Sequence, residues 1–249
     1  QSINTNASDN IFNGNGIVLT HKRNAGASFF VSKREREYYD HNDDNFSELP
    51  KLKNNSFGVN LFVLPSDNQK IEMSLSSMNE YRYGGEMVEK APHLALQSEE
   101  RIHDVLVGSL DYQINFNDEN SSFISYFSGQ KTDRNHYTGI FPEDTEDIEA
   151  HLAEPPYGIS EVSTFQGGMQ FNHRMEKMMK GVNVMTLGAE YVEDQVFDEI
   201  TSYNYLIDQR TTNLGMFFQS DWEISDAVNL LTGIRADKHN LLNNIVLNP

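Results

Sequence analysis

Apolar and polar residues alternate at every second position through most of this chain. That period admits strands and excludes helices, which repeat every 3.6 residues. In residues 214 to 224 one face carries Leu214, Met216, Phe218, Ser220, Trp222 and Ile224, and the other carries Gly215, Phe217, Gln219, Asp221 and Glu223. After a Ser-Asp-Ala turn, Leu230, Thr232, Ile234 and Ala236 alternate with Asn229, Leu231, Gly233, Arg235 and Asp237. Upstream the arrangement recurs in Phe57, Val59, Leu61 and Val63, in Ile71, Met73 and Leu75, between Leu106 and Phe116, between Phe165 and Phe171, and between Met185 and Tyr191. The period-two test gives about ten strands in five hairpins.

Connection lengths alternate too. Short ones fall near residues 22 to 25, 65 to 69, 117 to 120, 174 to 182 and 225 to 227, and long ones at 39 to 54, 84 to 97, 133 to 160 and 195 to 210. A membrane barrel puts turns at one rim and long loops at the other, whereas a β-sandwich has no reason to segregate them. Residues 26 to 38 begin apolar and end in the alternating charges of Lys33, Arg34, Glu35, Arg36 and Glu37, as in a strand that crosses lipid and then stands above it. A helix is predicted at residues 143 to 153, inside the longest loop, ending before Pro155 and Pro156. The predicted fold is all-β: an antiparallel up-and-down transmembrane β-barrel, present as an incomplete portion of a larger one.

Composition agrees with that fold. Only 38 % of the 249 residues are hydrophobic, below the usual ~45–50 %, which suits strands with one wet face. A transmembrane strand needs only about 9–11 residues of alternating polarity, so the lack of a long apolar run does not count against it. Nineteen basic residues against 37 acidic ones give a net charge of −18, which argues against nucleic acid as a partner. The absence of cysteine removes disulfides, thiolate metal sites and a cysteine nucleophile. No G-x-S-x-G, P-loop or dinucleotide-binding glycine pattern is present, and the chain is read as a non-enzyme.

The hairpin at residues 214 to 240 resembles the barrel hairpins of TonB-dependent outer-membrane receptors, in which an aromatic-Gln-x-x-Trp strand leads through a turn to a Gly-x-Arg-x-Asp strand. Phe218, Gln219, Trp222, Gly233, Arg235 and Asp237 occupy those places. Residues 29 to 52 resemble receptors of this kind from the Bacteroidetes, close to the siderophore and cobalamin branch. The resemblance covers nearly the whole chain and implies barrel wall and extracellular loops, in the outer membrane of a Gram-negative bacterium, for active uptake of cobalamin, a ferric siderophore or haem. Barrels of this type have about 22 strands and an N-terminal plug. Residues 1 to 249 contain no plug-like stretch and read as an internal piece of a longer chain. The implied partners are the TonB complex, reached through the plug, the nutrient, outer-membrane lipid and a surface lipoprotein. A passive porin or structural barrel is the alternative, followed by a soluble all-β glycan-binding module.

Two groups of residues are candidates for contact with a ligand or an ion. Tyr81 and Tyr83 at the head of one strand, and Tyr137 and Tyr157 in the longest loop, offer rings that could stack on a ligand, although tyrosines also form the girdle at a membrane rim. Asp40, Asn42 and Asp44 have a D-x-N-x-D spacing suited to calcium, with Glu48 near enough to add an oxygen. Asn45 stands where a calcium loop of this kind prefers Gly, and Lys51 where it needs a bidentate Glu. His41, His93, His103, His136, His151, His173 and His239 show no metal-ligand spacing and read as loop or rim residues.

Overall fold

The computed structural model describes residues 2–4, 7–176 and 181–248. They form a single antiparallel sheet in which every strand pairs with its neighbours in sequence. The strands are β1 (Ser2–Asn4), β2 (Ala7–Leu19), β3 (Ala25–Arg36), β4 (Lys51–Ser66), β5 (Gln69–Gly85), β6 (Gln97–Phe116), β7 (Ser121–Ile140), β8 (Tyr157–Met175), β9 (Val182–Ile200), β10 (Tyr205–Ser225), β11 (Val228–His239) and β12 (Val246–Asn248). Ten are long and make the five expected hairpins, and β1 and β12 are three residues each. One helix, α1 (Thr145–Ala153), lies between β7 and β8.

Direct partners on neighbouring strands share a face, so the register sorts the side chains. Ala27, Leu61, Met73, Leu110, Phe127, Gly167, Tyr191 and Leu214 form one row running from β3 to β10. One position along, on the opposite face, the row is Ser28, Asn60, Ser74, Ser109, Ser128, Gln166, Val192 and Asn213. The sheet therefore has an apolar face and a polar face. Leu214, Met216 and Phe218 are 44 %, 57 % and 40 % exposed, so the dry interior of a sandwich is absent. The apolar face has the composition of a lipid-facing wall.

The upper edge of the apolar band, toward the long loops, steps downward across the sheet. Val31, Phe57 and Leu106 share a row with Lys131, Ser163, Gln195 and Arg210. One row lower, apolar residues extend as far as Phe165 before Glu193, and in the next they reach Leu214 before Lys238. A level apolar band crosses successive rows in this way when the strands are inclined to the membrane normal, as they are in barrels.

The connections follow the expected alternation with two corrections. Turns at 20–24, 67–68, 117–120 and 226–227 join the hairpins at one end. The connection expected at 174 to 182 falls partly on residues 177–180, which lie outside the described residues. At the other end, residues 37–50, 86–96 and 141–156 are long loops. The long loop expected at 195 to 210 is instead strand on both sides of a 3-10 turn at Thr201–Tyr203. Likewise β7 runs on to Ile140 and β8 starts at Tyr157, so Tyr137 and Tyr157 are paired strand residues and not loop residues. In both places acidic residues and a lost period-two alternation, as in Val196 next to Phe197 and Leu206 next to Ile207, hid strands that extend above the apolar band.

Candidate functional site

Above the apolar band the polar face becomes cationic. Arg36, Arg82, Arg101 and His136 fall in one row from β3 to β7, separated by Leu52 on β4, and Arg34, Glu80, His103 and Arg134 lie in the row beneath. The residues come as doublets spaced by two (Arg34 with Arg36, Arg101 with His103, Arg134 with His136), because period two puts both members on one face. Carboxylates hold some of them: Asp9 takes Arg34 at 2.6 Å, Glu99 takes Arg101 at 2.8 Å, and Asp198 takes both Arg134 and His136 at 3.2 Å. Arg36 and Arg82 have no ion-pair partner among the described residues; Arg36 donates from Nε to the Pro50 carbonyl. Burial, then Arg34 beside it, makes the Arg36 guanidinium less basic than usual; Asp9 opposes this and Arg82 adds to it. Burial likewise lowers the His103 pKa. The sequence pointed to Arg34 and Arg36 as strand charges above the lipid but not to Arg82, Arg101 or Arg134, and His103 and His136, expected in loops or at the rim, lie within β6 and β7. The doublets were visible in the sequence, but their alignment into a field depends on a register that only the pairing reveals.

The four candidate tyrosines stand on the opposite, apolar side of the wall, above the band. Tyr83, Glu100, Tyr137 and Tyr157 form a single row across β5 to β8. Tyr137 is fully buried, and burial raises its hydroxyl pKa to about 12; burial also raises Tyr81 and Tyr83. Two loops fold down over this row. The Ser98 hydroxyl donates to the Pro92 carbonyl at 2.7 Å, and Ala95 is fully buried. The Tyr157 hydroxyl meets His93 Nδ1 at 2.9 Å, while His151 of α1 bonds the His93 carbonyl at 2.8 Å. The Phe141 amide donates to Leu96, and the Met87 amide donates to Asn45, so the three long loops form one connected cap. Packing within that cap accounts for Tyr83 and Tyr137.

In the 37–50 loop the acidic side chains turn toward the backbone. The Asp40 carboxylate accepts the amides of Asn42, Asp43 and Asn45, at 3.2, 2.8 and 2.9 Å. Asp44 accepts from Phe46, and Glu48 accepts the His41 amide at 2.7 Å. Asp43 and Asn45 adopt positive φ, a conformation that Asn tolerates better than most residues. No group of three His, Asp or Glu side chains placed to hold a metal occurs among the described residues.

These features can be set beside known structures. The siderophore receptor PirA from Acinetobacter baumannii superposes with a TM-score of 0.70 over 97 % of this chain, at 15 % identity. The outer membrane transporter YddB from Escherichia coli superposes at 0.68 over 97 % of the chain, at 12 % identity. The fold is that of an outer-membrane receptor barrel. A variant of the ferric enterobactin receptor PfeA from Pseudomonas aeruginosa, in complex with enterobactin, superposes at 0.64 with 12 % identity. The chain spans a little over a third of these proteins: 37 %, 35 % and 38 % of their lengths. No protein-family model matches the chain, and no curated protein matches it.

Proposed function

We infer that this chain is wall and outward loops of a TonB-dependent outer-membrane receptor of a Gram-negative bacterium, of the Bacteroidetes type, importing a bulky nutrient under TonB control. The observation that carries the reading is the cationic field on the polar face above the apolar band. An acidic chain that sets Arg36 and Arg82 in one row, neither of them ion-paired among the described residues, keeps positive charge where a ligand entering the lumen would pass. Desolvated charge of one sign in a concave wall attracts the opposite sign. A negatively charged ferric siderophore therefore suits this wall better than cobalamin, and the siderophore receptors among the structural neighbours support it over haem, whose propionates are also anionic.

The test uses the full-length protein carrying Arg36→Gln and Arg82→Gln. Affinity for an anionic ferric siderophore is expected to fall by about 1–3 kcal/mol and to lose part of its salt dependence, while cobalamin binding is unchanged. Equal affinities for variant and parent would overturn the ligand assignment. Undiminished uptake in cells lacking TonB would replace active transport with a passive pore.

A further inference from the structure

The strands do not end level at the outward rim. β9 and β10 stay paired up to Ile200 and Tyr205, whereas β11 leaves β10 at the Asn213–His239 pair. Above that pair one edge of β10 has no neighbouring strand among the described residues, and every residue from Tyr205 to Arg210 is exposed. Asn240 shows which groups face the open side. Its backbone N–H donates to the Thr212 carbonyl, its side-chain oxygen accepts the Thr212 N–H, and its side-chain nitrogen donates to the Arg210 carbonyl, all at 3.0 Å. Alternate residues of an antiparallel strand turn both backbone groups toward the same neighbour, so it is the even-numbered residues that face the opening. The Asn240 side chain stands in for one residue of the missing strand. Beyond it the N–H of Arg210 and both backbone groups of Asp208 and Leu206 are open.

An open edge of this kind is a template for one more strand, with backbone bonds supplying affinity and side chains supplying choice. The outer side of the edge carries Leu206, 59 % exposed, and Asp208, and the lumen side carries Ile207 and Gln209. Asp208 has no ion-pair or hydrogen-bond partner among the described residues, and neither has Glu199, which stands opposite Leu206 on β9. Arg210 cannot neutralise them, being held by Glu193 at 2.8 Å. A side chain directly across from Asp208 on an added strand starts about 5 Å away, within reach of an ion pair. The two open carboxylates therefore select a base at that place, and Leu206 and Ile207 select apolar neighbours for it. A second copy of this chain in the same membrane does not fit. Its β10 runs in the same direction, and a two-fold axis along the membrane normal sets even residues level with even residues, whereas a parallel ladder bonds each residue to those one above and one below its own level.

We propose that the edge from Leu206 to Arg210 takes up an extended segment of a partner protein as an additional strand, with a lysine or arginine opposite Asp208 and apolar residues opposite Leu206 and Ile207. The reading of the chain as a receptor enters only in placing this edge outside the cell, so peptide binding stands or falls separately from transport. The probe is the capped peptide Ser-Thr-Lys-Val-Val-Ser, titrated onto detergent-solubilised full-length protein beside a twin with Glu in place of Lys. The lysine peptide is expected to slow amide exchange at Leu206, Asp208 and Arg210 and to bind roughly tenfold more tightly than its twin, a preference that Asp208→Lys inverts. Leu206→Pro removes an N–H that the β9 ladder does not use, as edge positions allow, and is expected to weaken both peptides. Failure of both peptides to protect these amides would overturn the proposal, as would an equal response to the twins in parent and Asp208→Lys protein. Protection already present without peptide would also overturn it: in dilute monomer it would give the edge to another loop of the receptor, and only at high protein concentration to a second copy.

Discussion

The Tyr126 hydroxyl donates to the Glu190 carboxylate at 2.7 Å although the two residues are two strands apart, on β7 and β9. Gly168 lies between them on β8, in register with both. The tyrosine ring lies flat across that glycine; a Cβ there would stand 2.6 Å from ring atoms. On the far side Arg235 bonds Asp237 at 2.9 Å and approaches Glu190 at 3.6 Å, over Gly215. Long side chains resting on glycines thus tie five strands together across the polar face. Arg235 and Asp237 of the Gly-x-Arg-x-Asp hairpin belong to this tie.

Gly168→Val is expected to push Tyr126 off Glu190 and to destabilise the folded barrel by about 1–3 kcal/mol in a denaturant titration. Gly108→Ala is the control. A Cβ there meets its nearest neighbours at 3.6 Å, an ordinary contact, so its effect is expected to stay within about 0.5 kcal/mol.

Tyr137→Ala removes the largest side chain under the loop cap. A cavity of that kind costs about 3 kcal/mol when the surroundings do not collapse. The loss is expected to be local, because the sheet below depends on its ladder hydrogen bonds. Limited proteolysis should show new cleavage within residues 86–96 and 141–156, while the wall remains protected.

The cap is expected to loosen in mild acid. Burial, and then His151 nearby, lower the pKa of His93 below its ordinary 6.5. A base whose folded pKa is depressed takes up more protons when released, so its contribution to stability is complete above the unfolded value and is lost as pH falls through it. Protection factors in residues 86–96, taken against the intrinsic exchange rate at each pH, should therefore fall as pH drops below about 6.5. His93→Gln should flatten that dependence.

Asp40→Ala should open the 37–50 loop even in calcium-free buffer, since the carboxylate's observed partners are three amides. Exchange at Asn42, Asp43 and Asn45 is expected to rise by roughly fivefold per lost bond. Unchanged exchange in chelator, with a rise only when calcium is present, would instead make the loop an ion site.

The strand count, the hairpins and the facing of Leu214, Met216 and Phe218 were legible in the sequence because a wall between lipid and water must change polarity at every residue. Above the band that constraint lapses. There β7 is mostly polar, and β9 and β10 set adjacent apolar residues (Val196 and Phe197, Leu206 and Ile207) among acids, so the alternation is lost and these stretches looked like loops. The arginine field was illegible for a different reason: Arg36, Arg82 and Arg101 lie far apart in the chain and are aligned only by pairing. Tyr81 and Tyr83 stand near the head of β5 as expected, whereas Tyr137 and Tyr157, expected in a loop, are strand residues, and which wall the four stand on depended on counting parity along strands whose upper limits were hidden.

The downward step of the apolar edge restricts where this chain can vary in length. An extra residue inside β6 would turn everything beyond it inside out, sending Leu106 toward water or Ser109 toward hydrocarbon. An addition to residues 86–96 or 141–156 costs only closure entropy, which grows with the logarithm of loop length. Relatives are thus expected to differ by insertions in the outward connections, with the residue count between turns held fixed.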